Sequence, residues 1–599
     1  MKIKTILTSL FVSSILMGCN NGTSGQAPNS SSTVNGVNKQ MSAGNKSLGM
    51  YNPNDQYAIV FGSGYAGTAI AGYGAFVIFG DGAEVLVSLV EGVLVNTSAI
   101  LVGGVATAAD GIYHAIYNTL VRHDGYQHVN DISVGPQMEN TSFPLLITAG
   151  GYNNDSPAGQ DPSILHQLDG NSWSGVSTLN NEEIIQTSVA WDRTIDYANS
   201  SGLNLAQVTP YMVVVTKYGQ VNYYDPSRGQ WFYLMDESHR GNIDYLQYGR
   251  ELGNTVTAMS VLWPSTGGDP RVVLGTDNND SNGAEVYYYN GHSWTNFGIK
   301  THAGDWGRHN AVNQLSVSWN RYGYETPDTS APYIVAGTNY GEVKYYDPTR
   351  SAWFDLINDG NKGNIEHVAN NRSIEDNEIG TMSVNWEYSG DPQIVLGTSN
   401  SGKNGADVYY YNGHVWSNLG ISTHNGDWGS GNAVTALQVA WCGDACTPRI
   451  AAGTNYAEVK YYDPARSAWS DLVRDDNKGD IENVANGKSI HGNAILDLQA
   501  YWPTSGDPQV VIGTNNSDAN GAEVYYYDGH IWTNFGIKTH SGDWGSGNAV
   551  TAMRVYWPLN DDLTPKGTGT PYIIAGTNYG EIKVFDPTLN QWSQSTIFH

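Results

Sequence analysis

The chain has 599 residues, with 29 Lys+Arg against 57 Asp+Glu and a formal charge of −28. That sign excludes nucleic acid as a ligand class, because affinity there comes from neutralising phosphates, and it disfavours anionic lipid surfaces for the same reason. Charged residues are only 14% of the chain while Gly (70), Tyr (39) and Trp (18) abound, so turns, strands and aromatic packing are expected to carry the fold rather than helices.

The chain begins Met1-Lys2-Ile3-Lys4, continues with an apolar run from Ile6 to Met17, and reaches Leu16-Met17-Gly18-Cys19. A basic start, a short apolar stretch and a small residue before the cut read as an export signal. With Cys at the cut, it resembles a bacterial lipoprotein signal. The resemblance implies removal of residues 1–18, lipidation of Cys19 and anchorage to a bilayer; an ordinary signal peptide or a short anchor is the alternative. Asn20 rather than Asp follows the Cys, which by the family's sorting habit favours the outer membrane or cell surface over the inner membrane. Residues 19–49 are Asn, Ser, Gly and Thr with little to bury, and read as a disordered tether.

Residues 50–125 form a distinct Gly-rich apolar region. Tyr57 to Gly80 carries no charge, and Val85 to Ala109 carries only Glu91. Each run has the length of a membrane span, about 20 residues. Two readings stay open: a hairpin or helical pair packed on its neighbour, or insertion and pore-like association in a membrane. Ala109, Ile112, Ile116 and Leu120 fall on one face of an amphipathic helix over 105–122.

From about residue 126 a repeat takes over. An apolar strand ends in Trp (Trp191, Trp263, Trp319, Trp386, Trp441, Trp502, Trp557), and a second strand ends in Gly-Thr (Gly275, Gly337, Gly397, Gly453, Gly513, Gly576). A third is aromatic, as in Val286-Tyr287-Tyr288-Tyr289, and a fourth opens on a second Trp, as in Ser293-Trp294. Short strands recurring at this spacing mark a propeller or solenoid. The Gly-ended second strand, Tyr/Asp-bearing third and Trp-opened fourth resemble kelch repeats, and the Val-x-x-x-Trp and Asp-ended strands resemble WD repeats. The resemblance covers residues 126–599 and implies an all-β, eight-bladed β-propeller of four-stranded blades. Units with Gly-Ala-Glu/Asp-Val-Tyr-Tyr-Tyr (from Gly283, Gly405 and Gly521) alternate with units carrying Glu-Val/Ile-Lys (from Gly341, Ala457 and Gly580).

One loop stands out. Thr301-His302-Ala303-Gly304-Asp305-Trp306-Gly307 recurs as His424, Asp427 and Trp428 in the same frame, and again as His540, Asp543 and Trp544. A Trp face stacks the apolar side of a pyranose while Asp and His bond its hydroxyls. The same residues also suit a purely structural turn, with Asp accepting backbone N–H and Trp wedged between blades. Triplication argues against catalytic machinery, which is normally unique. Longer loops at Arg240–Tyr245, Lys362–Asn370 and Lys478–Asn486 read as rim structure. Asp277–Gly283 superficially resembles a calcium loop, yet its counterpart Ser399–Gly405 lacks a carboxylate and gains Lys403. Cys442 and Cys446 read as a small disulfide loop, as expected of an exported chain. No hydrolase elbow, zinc-protease motif or phosphate loop stands out. The expectation is a non-catalytic, cofactor-free and metal-free surface or periplasmic lipoprotein that binds glycan or protein. The alternative is a membrane-active protein whose propeller selects the target, and the third option is a glycan-acting enzyme.

Overall fold

The computed structural model describes strands and tight turns within residues 57–101 and 127–597; residues 1–56, 102–126, 598–599 and most of the longer loops lie outside the described residues. The chain divides into two compact units, Met1–Gly125 and Tyr126–His599.

In the first unit, Tyr57–Ala58 pairs with Ile70–Ala71, and Ala75–Gly80, Ala83–Val90 and Val93–Leu101 form a three-stranded antiparallel sheet. Gly80 pairs with Ala83 and Val90 with Val93, on either side of Asp81-Gly82 and Glu91-Gly92 in the sequence. Asp-Gly between apolar strands is the strongest short-range hairpin sequence. The amphipathic helix expected over 105–122, the tether and Cys19 lie outside the described residues. Among the described residues, no helix is long and apolar enough to cross a membrane.

The second unit is a succession of antiparallel sheets, each running in chain order from an inner to an outer strand. Seven have four strands; their inner strands are Gln127–Val134, Ile184–Ala190, Val256–Leu262, Val312–Ser318, Ile379–Asn385, Val434–Ala440 and Ile495–Tyr501. The last sheet starts at Val550–Tyr556, which packs back against Gln127–Val134 and closes the ring. A closed ring of meander sheets is a β-propeller, and closure leaves only short strand edges. The expectation of eight four-stranded blades is corrected: seven blades are four-stranded, and the C-terminal sheet has five strands. There the register of the fourth position differs by one residue along its length, because Phe585 pairs with Trp592 while Ile582 pairs with Thr596.

The Gly-Thr marker has a separate cause for each residue. A Cβ on Gly275, Gly337, Gly397, Gly453 or Gly513 would lie 2.6–2.9 Å from the Val or Ile that opens the next inner strand. Glycine is therefore where adjacent blades approach most closely. The Thr hydroxyl accepts the backbone N–H of the residue opening the third strand, from Gln220, Glu285, Glu342, Asp407, Glu458, Glu523 and Glu581, at 3.1–3.2 Å. It thus satisfies a donor that the loop would otherwise leave buried.

The two Trp series lock neighbouring blades. Inner-strand Trp263, Trp386 and Trp441 donate Nε1–H to Ser188, Ser316 and Ser383 of the preceding blade at 3.0–3.3 Å. Fourth-strand Trp294, Trp353, Trp416, Trp469, Trp532 and Trp592 donate to a carbonyl at the end of the preceding blade, the first to Leu234 at 2.8 Å. A buried indole needs such an acceptor.

Two aspartates grip the next blade in the same way. Asp497 Oδ2 accepts Met553 N–H at 2.8 Å, and Asp131 Oδ2 accepts Thr187 N–H at 2.8 Å. Arg554 reaches Asp131 Oδ1 at 3.4 Å across the closing seam. Burial pushes the Asp497 carboxyl above its ordinary range, and Arg554 only partly opposes this. A raised folded-state pKa means that ionisation opposes folding, so this group's contribution is lost as pH rises from the unfolded pKa through the folded one. Asp497→Asn keeps the acceptor and removes the charge. Its melting temperature is expected to exceed wild type near pH 7, with the gap shrinking as pH falls through the raised folded pKa and gone below about 4, the unfolded value. A gap constant in pH would overturn this.

Candidate functional site

His302, Asp305, Trp306, His424, Asp427, Trp428, His540, Asp543 and Trp544 all lie outside the described residues, and so do the three rim loops. What is described is how the three His/Asp/Trp loops are tied down at both ends, and the ties are the same.

Each loop leaves a fourth strand through an Asn-x-Gly-Ile sequence. Asn296, Asn418 and Asn534 accept, through Oδ1, the N–H of Gly298, Gly420 and Gly536 at 2.6–2.7 Å. These glycines have φ of 56°, 59° and 53° and nothing near a would-be Cβ, so backbone conformation alone requires Gly. Ile299, Ile421 and Ile537 are then buried, fixing the exit direction. At the far end, Ala311, Ala433 and Ala549 donate N–H to Asn339, Asn455 and Asn578, each at 2.7 Å. The same alanines bridge to Asp277, Ser399 and Asn515 of the preceding blade. Loop residues 300–310, 422–432 and 538–548 therefore start and finish in matching frames on alternate blades.

Cys442 and Cys446 are disulfide-bonded, with Cα atoms 6.0 Å apart. Asp277 is engaged in the bridge to Ala311, and the rest of the calcium-like loop lies outside the described residues. Among the described residues, no group of three His, Cys, Asp or Glu is placed to hold a metal ion.

The sequence reading missed a cavity of about 500 Å³ on the flank between two blades. One wall comes from the blade beginning at Val312 and carries Tyr345, Asp347, Arg350, Phe354 and Asp355; the next blade supplies Asp391 and Tyr411. The sequence marks it with Tyr-Tyr-Asp-Pro-x-Arg at the end of an Asp-ended third strand. In Asp347-Pro348-Thr349-Arg350, Asp347 Oδ1 accepts Thr349 N–H at 2.9 Å, and Arg350 Nε lies 3.5 Å from Oδ2. This turn holds the Arg350 guanidinium over the Phe354 ring, 5.1 Å from its centroid. Tyr411 OH donates to Asp391 at 3.3 Å; burial, and then the Asp391 charge, push the Tyr411 pKa up.

The fold defines a β-propeller protein. No protein-family model matches the chain, and no curated protein matches it. Among solved structures it is similar to Chaetomium thermophilum Sqt1 bound to the N-terminus of the ribosomal protein L10, at 13% identity and TM-score 0.42, over 77% of this chain and 98% of that one. It is similar to the Dos1 propeller at 8% identity and TM-score 0.39, over 76% and 90% of the two chains. A third likeness is to BBS1N in complex with ARL6DN, at 13% identity and TM-score 0.32, over 61% and 84%. These likenesses concern the fold alone.

Proposed function

We propose that this chain is an exported, lipid-anchored, non-catalytic binding module that meets surface glycans through its three His/Asp/Trp loops. The observation that carries the reading is the matched anchoring of those loops at both ends. Equal anchors on alternate blades of a closed ring present three copies of one side-chain set in equivalent settings. Weak single sites repeated on a rigid support gain avidity through effective concentration. In each copy Trp stacks on a sugar ring, while Asp and His bond its hydroxyls. Three equivalent copies suit binding better than turnover. Protein ligands on the same face are the neighbouring possibility, and the anchor would be Cys19.

The test is glycan-array binding by the protein and by its Trp306/Trp428/Trp544→Ala variant. Each lost stacking contact is worth about 1 kcal/mol, and avidity multiplies the loss, so retention on the array should fall at least about 100-fold. Undiminished binding by a folded triple variant would remove the loops from the site.

One observation favours a second reading, membrane insertion by residues 57–109. Ala83–Val90 and Val93–Leu101 are strands of 8 and 9 residues carrying only Glu84 as a charge. That length approaches the 9–11 residues of a membrane-spanning strand. Leakage of zwitterionic vesicles by the full chain, abolished by deleting residues 57–109, would support it; intact vesicles would dismiss it.

A further inference from the structure

We infer that the flank cavity between the blades beginning at Val312 and Ile379 is a separate binding site, and that its ligand is a neutral saccharide unit. The volume of about 500 Å³ falls within the ordinary range of small-molecule sites. Its chemistry narrows the ligand. Asp347, Asp355 and Asp391 disfavour an anion, while the Arg350 guanidinium, whose side chain is 68% exposed, disfavours a cation. The charges are largely matched within the walls: Arg350 with Asp347, and Lys344 Nζ with Asp355 Oδ1 at 2.8 Å.

What the cavity offers a ligand is a mixture of donors and acceptors. Arg350 presents the two terminal nitrogens of its fork. Asp391 is exposed and takes the Tyr411 hydroxyl on Oδ2, while Asp355, 41% exposed, takes Lys344 on Oδ1. Each carboxylate so has one oxygen held by a neighbour and a second oxygen outside that bond, on a residue that lines the cavity. Vicinal hydroxyls are the common groups that both donate to carboxylates and accept from a guanidinium without carrying charge. Tyr333 and Tyr345, stacked with centroids 6.3 Å apart, stiffen the back wall, and Asp391 is held in place by Tyr411.

The repeat supplies its own comparison. The flank between the blades beginning at Ile184 and Val256 repeats the set: Arg228 lies 5.1 Å over Phe232 and 3.3 Å from Asp225, with Asp269 and Tyr289 opposite. There Tyr233 replaces Asp355. In the flank between the blades beginning at Val434 and Ile495, Ser470 stands where Phe354 stands, and Arg449 replaces Tyr333. The Arg466 guanidinium there has no ring beneath it at that position. Of these three flanks the set is complete in one, nearly complete in one and degraded in one, and the complete copy should bind most tightly.

The experiment uses the full chain on an array of neutral oligosaccharides, followed by calorimetric titration of the best ligand. Arg350→Ala and Asp391→Ala alter exposed side chains and should leave the melting temperature unchanged. Each is expected to weaken one class of site about tenfold or more, the loss of a charge-assisted hydrogen bond. That class should survive in the Trp306/Trp428/Trp544→Ala variant, which separates this site from the loops. Three outcomes would overturn the inference: no neutral oligosaccharide bound, all binding indifferent to both flank variants, or binding of poly-lysine alone that Asp391→Ala abolishes.

Discussion

Replacing Lys344 by Met is expected to destabilise the propeller by about 3–5 kcal/mol, the cost of stranding a buried charge. Glu342 is fully buried, and Lys344 Nζ lies 3.5 Å from its Oε1 and 2.8 Å from Asp355 Oδ1. Lys460 repeats the arrangement with Glu458 and Asp471 at the same distances. Without the ammonium, Glu342 keeps Thr338 as a hydrogen-bond partner but has lost the cation that offsets its desolvation. The chain itself shows the tolerated alternative, since Gln220 and Asn222 occupy these two positions in the second blade. The double change Glu342→Gln with Lys344→Asn should therefore cost less than Lys344→Met, because no charge is stranded, although Asn222 buries both its side-chain polar atoms without a hydrogen bond. Urea unfolding of both variants checks the contrast; equal losses would mean that volume rather than charge decides.

Gly397→Ala is expected to cost about 1–3 kcal/mol, and Gly397→Val more. The new Cβ would meet Val434 Cγ1 at 2.6 Å, Val434 Cβ at 2.7 Å and Thr381 Cγ2 at 3.1 Å. Both neighbours are β-branched and short, with little rotamer freedom to yield. The gap between blades would have to widen, which a closed ring resists. Adding Val434→Ala returns the volume, so the double variant should recover part of the loss. A double-mutant cycle measures that coupling, and simple additivity would show that the contact is not what excludes a side chain here.

Much of the fold was legible because its determinants are local. The second strand expected to end at Gly275-Thr276 is found at Arg271–Thr276, and the inner strand expected to end at Trp263 is found at Val256–Leu262. Alternation, aromatic strands and Gly/Asn turns are written into each repeat. The fourth position of the last sheet was not legible. It depends on a one-residue slip between Trp592 and Thr596, and such a slip leaves no mark on composition. The triplicated loops were conspicuous as a pattern, but their shared anchoring at Asn339, Asn455 and Asn578 was hidden. Those residues follow Gly-Thr in their own strands, 22 to 29 positions beyond the alanines that they hold.

By itself the sequence determined the repeat, the four-strand plan of the blades and the excess of negative charge. Each of these is carried by neighbouring residues or by a sum over the chain. Only the tertiary structure decided why the markers are those residues: Gly for the approach of the next blade, Thr for the opening of the third strand, Trp for a carbonyl or hydroxyl of the blade before. It alone also assembled the flank cavity, because Arg350 and Asp391 belong to different blades. Their meeting depends on how sheets pack side by side, and packing between sheets leaves no period in the chain.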